Sequence, residues 1–288
     1  MTPLALGSLN PPSEFLIEPC VRRALEEDFG RAGDITSDLL IPADQRARAV
    51  LAAREAGTIS GLIAASLAFR LVDPDIMLNV LAPDGSTVTA GDTIAELEGT
   101  ARGILSAERT ALNFLGHLSG VATATRALVA CTEGTRARVA CTRKTTPGLR
   151  ILEKYAVRCG GGFNHRFGMD DAVLVKDNHI AAAGGIEAAI NRLRGRLGHM
   201  VKIEVEVDTL EQLKEALDLK IDTILLDNMP PDILKEAVRL NAGRAVLEAS
   251  GGITLQTARA VAQTGVDYLS SGAITHSARN QDVGLDFV

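Results

Sequence analysis

The chain has 288 residues and a formal net charge of -6; the length allows one large α/β domain plus a smaller one, and the acidic balance argues against nucleic acid or an anionic membrane as partner. Apolar residues make up 46% and aromatic residues 3%, with no Trp, so Ala, Val, Leu and Ile must fill the core, as in parallel α/β sheets. Apolar runs such as Leu62 to Phe69 are too short to span a bilayer, no signal peptide is read at the N-terminus, and four cysteines (Cys20, Cys131, Cys141, Cys159) lack CxxC spacing, which together predict a cytoplasmic protein with reduced thiols and no zinc site.

In chain order, Phe15, Ile17, Val21 and Leu25 stand near helical spacing and predict a helix over 15–29, punctuated by Gly30 and Gly33. A strand is expected over 47–55, then a turn leading into a short apolar helix within 57–69. Turn signals at Asp84-Gly85 and Ala90-Gly91-Asp92 separate short alternating strands. That stretch resembles the hairpins of lipoyl and biotinyl carrier domains, but no Lys stands at a hairpin tip, so a carrier role is not expected. A small α+β domain is read over 1–116, with the tail 277–288 packing on it. A long helix opens at Ser106 and runs to about Cys131. Beyond it strands over 137–141, 172–176, 201–207, 223–227, 245–249 and 268–271 alternate with helices over 149–159, 185–197, 210–219, 231–240 and 254–264. Such alternation implies βαβ units and a parallel sheet over 117–276. Six strands suit either an incomplete α/β barrel or a doubly wound sheet. No GxGxxG follows the first strand, which weakens a dinucleotide-binding reading.

Parallel α/β folds build sites at the carboxyl ends of their strands, and here nearly every strand ends in polar or glycine residues. The ends read Thr142-Arg143-Lys144, Lys176-Asp177-Asn178-His179, Glu206-Val207-Asp208, Asp227-Asn228, Ser250-Gly251-Gly252 and Ser270-Ser271-Gly272-Ala273. From Arg143 to Lys176 seven Lys/Arg face three Asp/Glu, a local excess that suits a small anion; Arg150, Lys154 and Arg158 are read as a solvated basic face. Alternation along 201–207 puts Ile203, Val205 and Val207 against helices, and Lys202, Glu204, Glu206 and Asp208 inside. Lys202 and Glu204 are expected to pair low in the barrel, whereas Glu206, nearer the open end, could accept hydrogen bonds from sugar hydroxyls. Gly251, Gly252 and Gly272 suit a phosphate, because glycine allows close backbone approach and helix-start N–H groups attract anions. Gly272 precedes a turn at 273–275. The glycines of Gly160-Gly161-Gly162-Phe163-Asn164-His165-Arg166 imply either tight backbone geometry or a loop that closes over a ligand.

The segments ERTALNFLGHLSGVATAT, TRKTTPGLR, EKYAVRCGGGFNHRFGMDDAVLVKDNHI, EVEVDTLEQL, ILLDNM, EASGGI and SSGAITHSA, spread over about 106–278, resemble quinolinate phosphoribosyltransferases, without departure at the motif positions. The resemblance implies a small N-terminal sandwich followed by an incomplete α/β barrel, and an enzyme of NAD biosynthesis that makes nicotinate mononucleotide, pyrophosphate and carbon dioxide from quinolinate and phosphoribosyl pyrophosphate. It implies a homodimer in which Arg109 reaches across the interface. Arg143, His165, Arg166 and Lys176 would hold the two quinolinate carboxylates, and Lys144, beside Thr142, the pyrophosphate side. Glu206 and Asp227 would bind the ribose hydroxyls near Mg²⁺, and Ser250, Gly251, Gly252, Ser271, Gly272 and Ala273 would cradle the 5-phosphate. Other readings remain open. They are a same-fold relative with another aromatic acid or a link to molybdenum uptake, a nicotinate phosphoribosyltransferase, a non-catalytic phosphosugar module, and an aldolase-type barrel using Lys176. Two arginines, Arg143 and Arg166, favour a dicarboxylate.

Overall fold

A computed structural model describes residues 9–288; what was read for the opening eight residues lies outside the described part. Two compact units emerge. One takes residues up to Arg126, 145–161 and 274–288, and the other takes 127–144 and 162–273. A boundary between 116 and 117 would fall inside a continuous helix, Ala101–Ala130.

In the first unit α1 (Glu14–Phe29) buries Ile17, Val21 and Leu25, one face at four-residue spacing. A short α2 (Ile35–Leu40), not foreseen from the sequence, starts where the Asp34 carboxylate accepts the Ser37 N–H at 2.9 Å. Then come β1 (Arg46–Ala53), β2 (Gly57–Thr58), α3 (Leu62–Val72), β3 (Met77–Val80), β4 (Thr87–Val88) and β5 (Thr93–Thr100). The helix α4 (Ala101–Ala130) begins five residues before Ser106. Thr100 already serves as its cap, its hydroxyl accepting the Gly103 N–H at 3.2 Å. At the chain's other end β12 (Val283–Phe287) pairs antiparallel with β1, giving the sheet order β12-β1-β5-β3.

The second unit holds β6 (Arg138–Ala140), β7 (Val173–Val175), β8 (Ile203–Val207), β9 (Thr223–Asp227), β10 (Val246–Ser250) and β11 (Tyr268–Ser270). All pair in parallel, in the order β6-β11-β10-β9-β8-β7. That is chain order around a circle, open only between β6 and β7, so the sheet is an incomplete barrel and not a doubly wound sheet. In chain order the helices are α5 (Arg150–Cys159, which belongs to the first unit), α6 (Asp177–Ala183), α7 (Ile186–Arg194), α8 (Leu210–Asp218), α9 (Pro231–Asn241), α10 (Leu255–Ala262) and α11 (Ala273–His276). Helices α7, α8 and α10 bury triplets at i, i+3, i+4: Ile186, Ala189, Ile190; Leu213, Ala216, Leu217; Ala258, Val261, Ala262. The expected turn at 273–275 is α11. Lys154 does not belong to a solvated face, since α5 buries it completely beside Glu153. Among the described residues no helix is long and apolar enough to cross a membrane.

Candidate active site

Strand register aligns the carboxyl ends. Asp227 pairs with Ser250, Ser250 with Ser270, and Ser270 with Ala140, so Thr142–Lys144, Asp227, Ser250–Gly252 and Ser271–Ala273 leave the barrel at one rim. On the other side Val175 pairs with Val205 and Glu206 with Leu225, which brings Lys176 and Glu206 to that rim as well. Of the sequence-predicted residues, only Arg109 lies in the first unit, exposed on α4.

The cationic side starts in the loops after β6 and before β7. The Thr142 hydroxyl accepts the Lys144 N–H at 3.0 Å, a local turn that fixes the Arg143 backbone. Arg166 donates from Nη1 to the Ala172 carbonyl at 3.0 Å. Burial, and after it the charge of Arg143, hold the Arg166 guanidinium below its ordinary pKa. Of the two readings of the triple glycine, the structure carries tight geometry. A Cβ on Gly160 would meet the Ala122 carbonyl oxygen at 2.4 Å, and Gly161 has φ +86°.

The acidic side is Glu206 and Asp227. Glu206 accepts from Lys176 Nζ at 3.0 Å. Asp227 accepts from Asn228 Nδ2 at 2.6 Å. Asn228 has φ +53°, and its N–H donates to the Ser250 carbonyl at 2.9 Å. The glycine side follows at once. Gly251 has φ +88°, and a Cβ there would lie 2.0 Å from Asn228 Oδ1, whereas Gly252, at φ +62°, has open space. Thr254 then caps α10, accepting the Thr257 N–H at 3.3 Å. Ser271 donates to the Ile253 carbonyl at 3.3 Å, tying the last two rim loops together.

Two expectations change inside the barrel. Lys202 does not pair with Glu204; it is exposed and lies 3.5 Å from Asp222. Glu204 instead meets His165, Nε2 to Oε2 at 2.7 Å. The reason is depth, because Lys202 precedes β8 at its outer mouth and Glu204 is buried within it. Glu248, buried on β10, also approaches His165, at 3.7 Å. Sequence reading missed Glu248, although a carboxylate inside the apolar run Val246–Ala249 was a signal that it needs a partner.

Profiles described as the N-terminal and C-terminal domains of quinolinate phosphoribosyl transferase match residues 34–119 and 121–286. A probable nicotinate-nucleotide pyrophosphorylase [carboxylating] of Bacillus subtilis is 45% identical over 90% of this chain and 89% of its own. Quinolinate phosphoribosyltransferase [decarboxylating] 2b, mitochondrial, of Nicotiana tabacum is 39% identical over 96% of this chain and 84% of its own. Among solved structures, NadC from Streptococcus pyogenes superposes with a TM-score of 0.92 at 40% identity, covering 97% of this chain and 99% of that one.

Proposed function

The chain belongs to the quinolinate phosphoribosyltransferase family, and from that premise we propose how its own residues carry the reaction. It is a decarboxylating transferase: it moves a phosphoribosyl group from phosphoribosyl pyrophosphate to quinolinate, releasing pyrophosphate and carbon dioxide and leaving nicotinate mononucleotide. One observation carries the assignment of roles. Burial, and after it the positive charge of Arg143, hold the Arg166 guanidinium below its ordinary pKa, which supports a pocket that takes a dianion. Quinolinate, with two adjacent carboxylates, is such a dianion. Arg143, Arg166 and Lys176 hold it, with His165 set against the Arg166 backbone, and the planar guanidinium forks match carboxylate geometry.

Phosphoribosyl pyrophosphate takes the remaining rim. Ser250, Gly251, Gly252, Ser271, Gly272 and Ala273 receive the 5-phosphate; the positive φ of both glycines next to the start of α10 supports this. Glu206 and Asp227 accept from the ribose hydroxyls and favour positive charge at C1 as its bond to pyrophosphate breaks. Lys144 and Thr142 face the leaving group. The pyridine nitrogen then bonds to C1 and becomes cationic. Its positive charge stabilises the electron pair left on the adjacent ring carbon when the neighbouring carboxylate departs as carbon dioxide, and that carbon takes a proton from solvent to give nicotinate mononucleotide. Positioning and charge, without a protein nucleophile, account for the rate.

Glu206 and Asp227 also suit Mg²⁺, being hard oxygen donors. The one cluster of three ligating side chains among the described residues is His165, Glu204 and Glu248, and it includes neither of them, so the ion would take most of its ligands from substrate. When bound, Mg²⁺ would offset charge on the departing pyrophosphate.

The homodimer, with Arg109 completing the partner's site, belongs to this proposal. Phe15, Leu39 and Leu40 are 83%, 84% and 73% exposed on α1 and α2, apolar surface of the kind that interfaces cover. A cytoplasmic location belongs to it too, and four free cysteines suit a reducing compartment.

The test is carbon dioxide release from carboxyl-labelled quinolinate, with phosphoribosyl pyrophosphate and Mg²⁺ each omitted in turn. Release that needs all three, with equal nicotinate mononucleotide formed, is expected. No release from folded protein would move the function to a relative with another acceptor.

A further inference from the structure

His165, Glu204 and Glu248 line a cavity of about 340 Å³ toward the amino-terminal ends of the barrel strands, together with Arg166, Asp171 and Lys202. Their ligating atoms lie within 4.8 Å of one another. Oε1 of Glu204 and Oε1 of Glu248 are buried without a hydrogen-bond partner, on side chains only 9% and 6% exposed. Such a trio invites a cation, but the histidine argues otherwise. Nδ1 of His165 accepts the backbone N–H of Arg166 at 2.8 Å. That contact uses the Nδ1 lone pair, so in the neutral ring the proton sits on Nε2. Nε2 then donates to Glu204 at 2.7 Å and has no lone pair for a metal.

The same geometry explains the carboxylates. Two buried glutamates in one cavity cannot both stay ionised at low cost. Burial, then the charge of Glu204, drive Glu248 up to about 7. One proton on Glu248, directed at Glu204, would satisfy both unpartnered oxygens.

We infer that Glu204 and Glu248 act as a proton-sharing carboxyl pair that locks His165 in its Nε2–H tautomer and thereby holds the Arg166 backbone. This rests on the role proposed above for Arg166. Glu248 and Glu204 are positioning residues: they touch no reacting atom, and they act on quinolinate through His165 and Arg166. The guanidinium is anchored at Ala172 and its own backbone at His165, so both ends of the clamp are fixed before substrate arrives.

Two measurements test this. Long-range nitrogen–proton NMR of the imidazoles resolves tautomers, and the chain has only five histidines, with His165→Asn identifying the relevant signal. A neutral Nε2–H ring at position 165 is expected; an Nδ1–H ring, or a signal that shifts on titration with Zn²⁺ or Mn²⁺, overturns the inference. This arm needs no turnover, so it decides the matter even if quinolinate proves not to be the substrate. The second arm is steady-state kinetics. Glu204→Ala and Glu248→Ala should raise KM for quinolinate ten-fold or more and leave KM for phosphoribosyl pyrophosphate within two-fold. The isosteric Glu204→Gln and Glu248→Gln, which keep the folded shape, should recover most of the loss. Equal rises in both KM values, or unchanged quinolinate KM in folded variants, would reduce the pair to a structural role.

Discussion

Lys176 Nζ and Glu206 Oε2 lie 3.0 Å apart across neighbouring strands, the lysine 48% exposed and the glutamate 14%. The two belong to different halves of the proposed site, one to quinolinate and one to ribose. Each substrate therefore has to compete for a group that the other half already engages. Glu206→Ala should lower kcat by about 100-fold, the usual scale for removing one charge-stabilising group. Because it also releases Lys176, quinolinate affinity measured by calorimetry should stay level or tighten a few-fold. Partial exposure limits the effect on thermal stability to about 1 kcal/mol.

Arg143→Ala or Arg166→Ala should abolish quinolinate binding in calorimetry and leave phosphoribosyl pyrophosphate binding largely intact. Removing one partner of a desolvated charge pair costs about 2–5 kcal/mol. Lysine at either position should also be damaging, because the fork is lost. Normal quinolinate affinity in both alanine variants would sink the assignment.

Gly251→Ala and Gly252→Ala separate two roles of glycine. Both positions have positive φ, but only at Gly251 would the new Cβ collide with Asn228. Gly252→Ala should cost about 1 kcal/mol from backbone strain alone. Gly251→Ala should cost more, and should also disturb Asp227 through Asn228, raising KM for phosphoribosyl pyrophosphate. Urea melts of the two variants, read beside their kinetics, check the order.

Glu248 makes stability depend on pH in a defined direction. Its folded pKa, about 7, lies above the ordinary 4.5, so between those values the native state retains a proton that the unfolded chain releases. Stability then falls as pH rises through that window and levels off above it. One retained proton sets the slope at no more than about 1.4 kcal/mol per pH unit. Besides Glu248, the charged or titratable groups lining the same cavity are His165, Arg166, Asp171, Lys202, Glu204 and Tyr268. Melting of wild type and Glu248→Gln at pH 5 and pH 8 should show the glutamine variant gaining on wild type at the higher pH. A constant gap would mean that Glu248 does not hold its proton.

Much of the molecule was legible in the sequence alone, because the relevant physics is local. Period-two and helical patterns located all six barrel strands and their amphipathic helices, since burying one face per element leaves that pattern in any chain. The motif glycines and strand-end charges marked one rim for the same reason: βαβ units send every strand's carboxyl end the same way. What only the tertiary structure decided were matters of register and depth. Lys202 and Glu204 share a face on paper, but one reaches solvent and the other lies inside beside His165. Lys154 reads as surface charge and is buried. Glu248, on another strand, completes a cluster whose members are 39 and 83 residues from His165 along the chain. No spacing rule reaches that far, because such contacts depend on how the sheet curls and not on the order of residues.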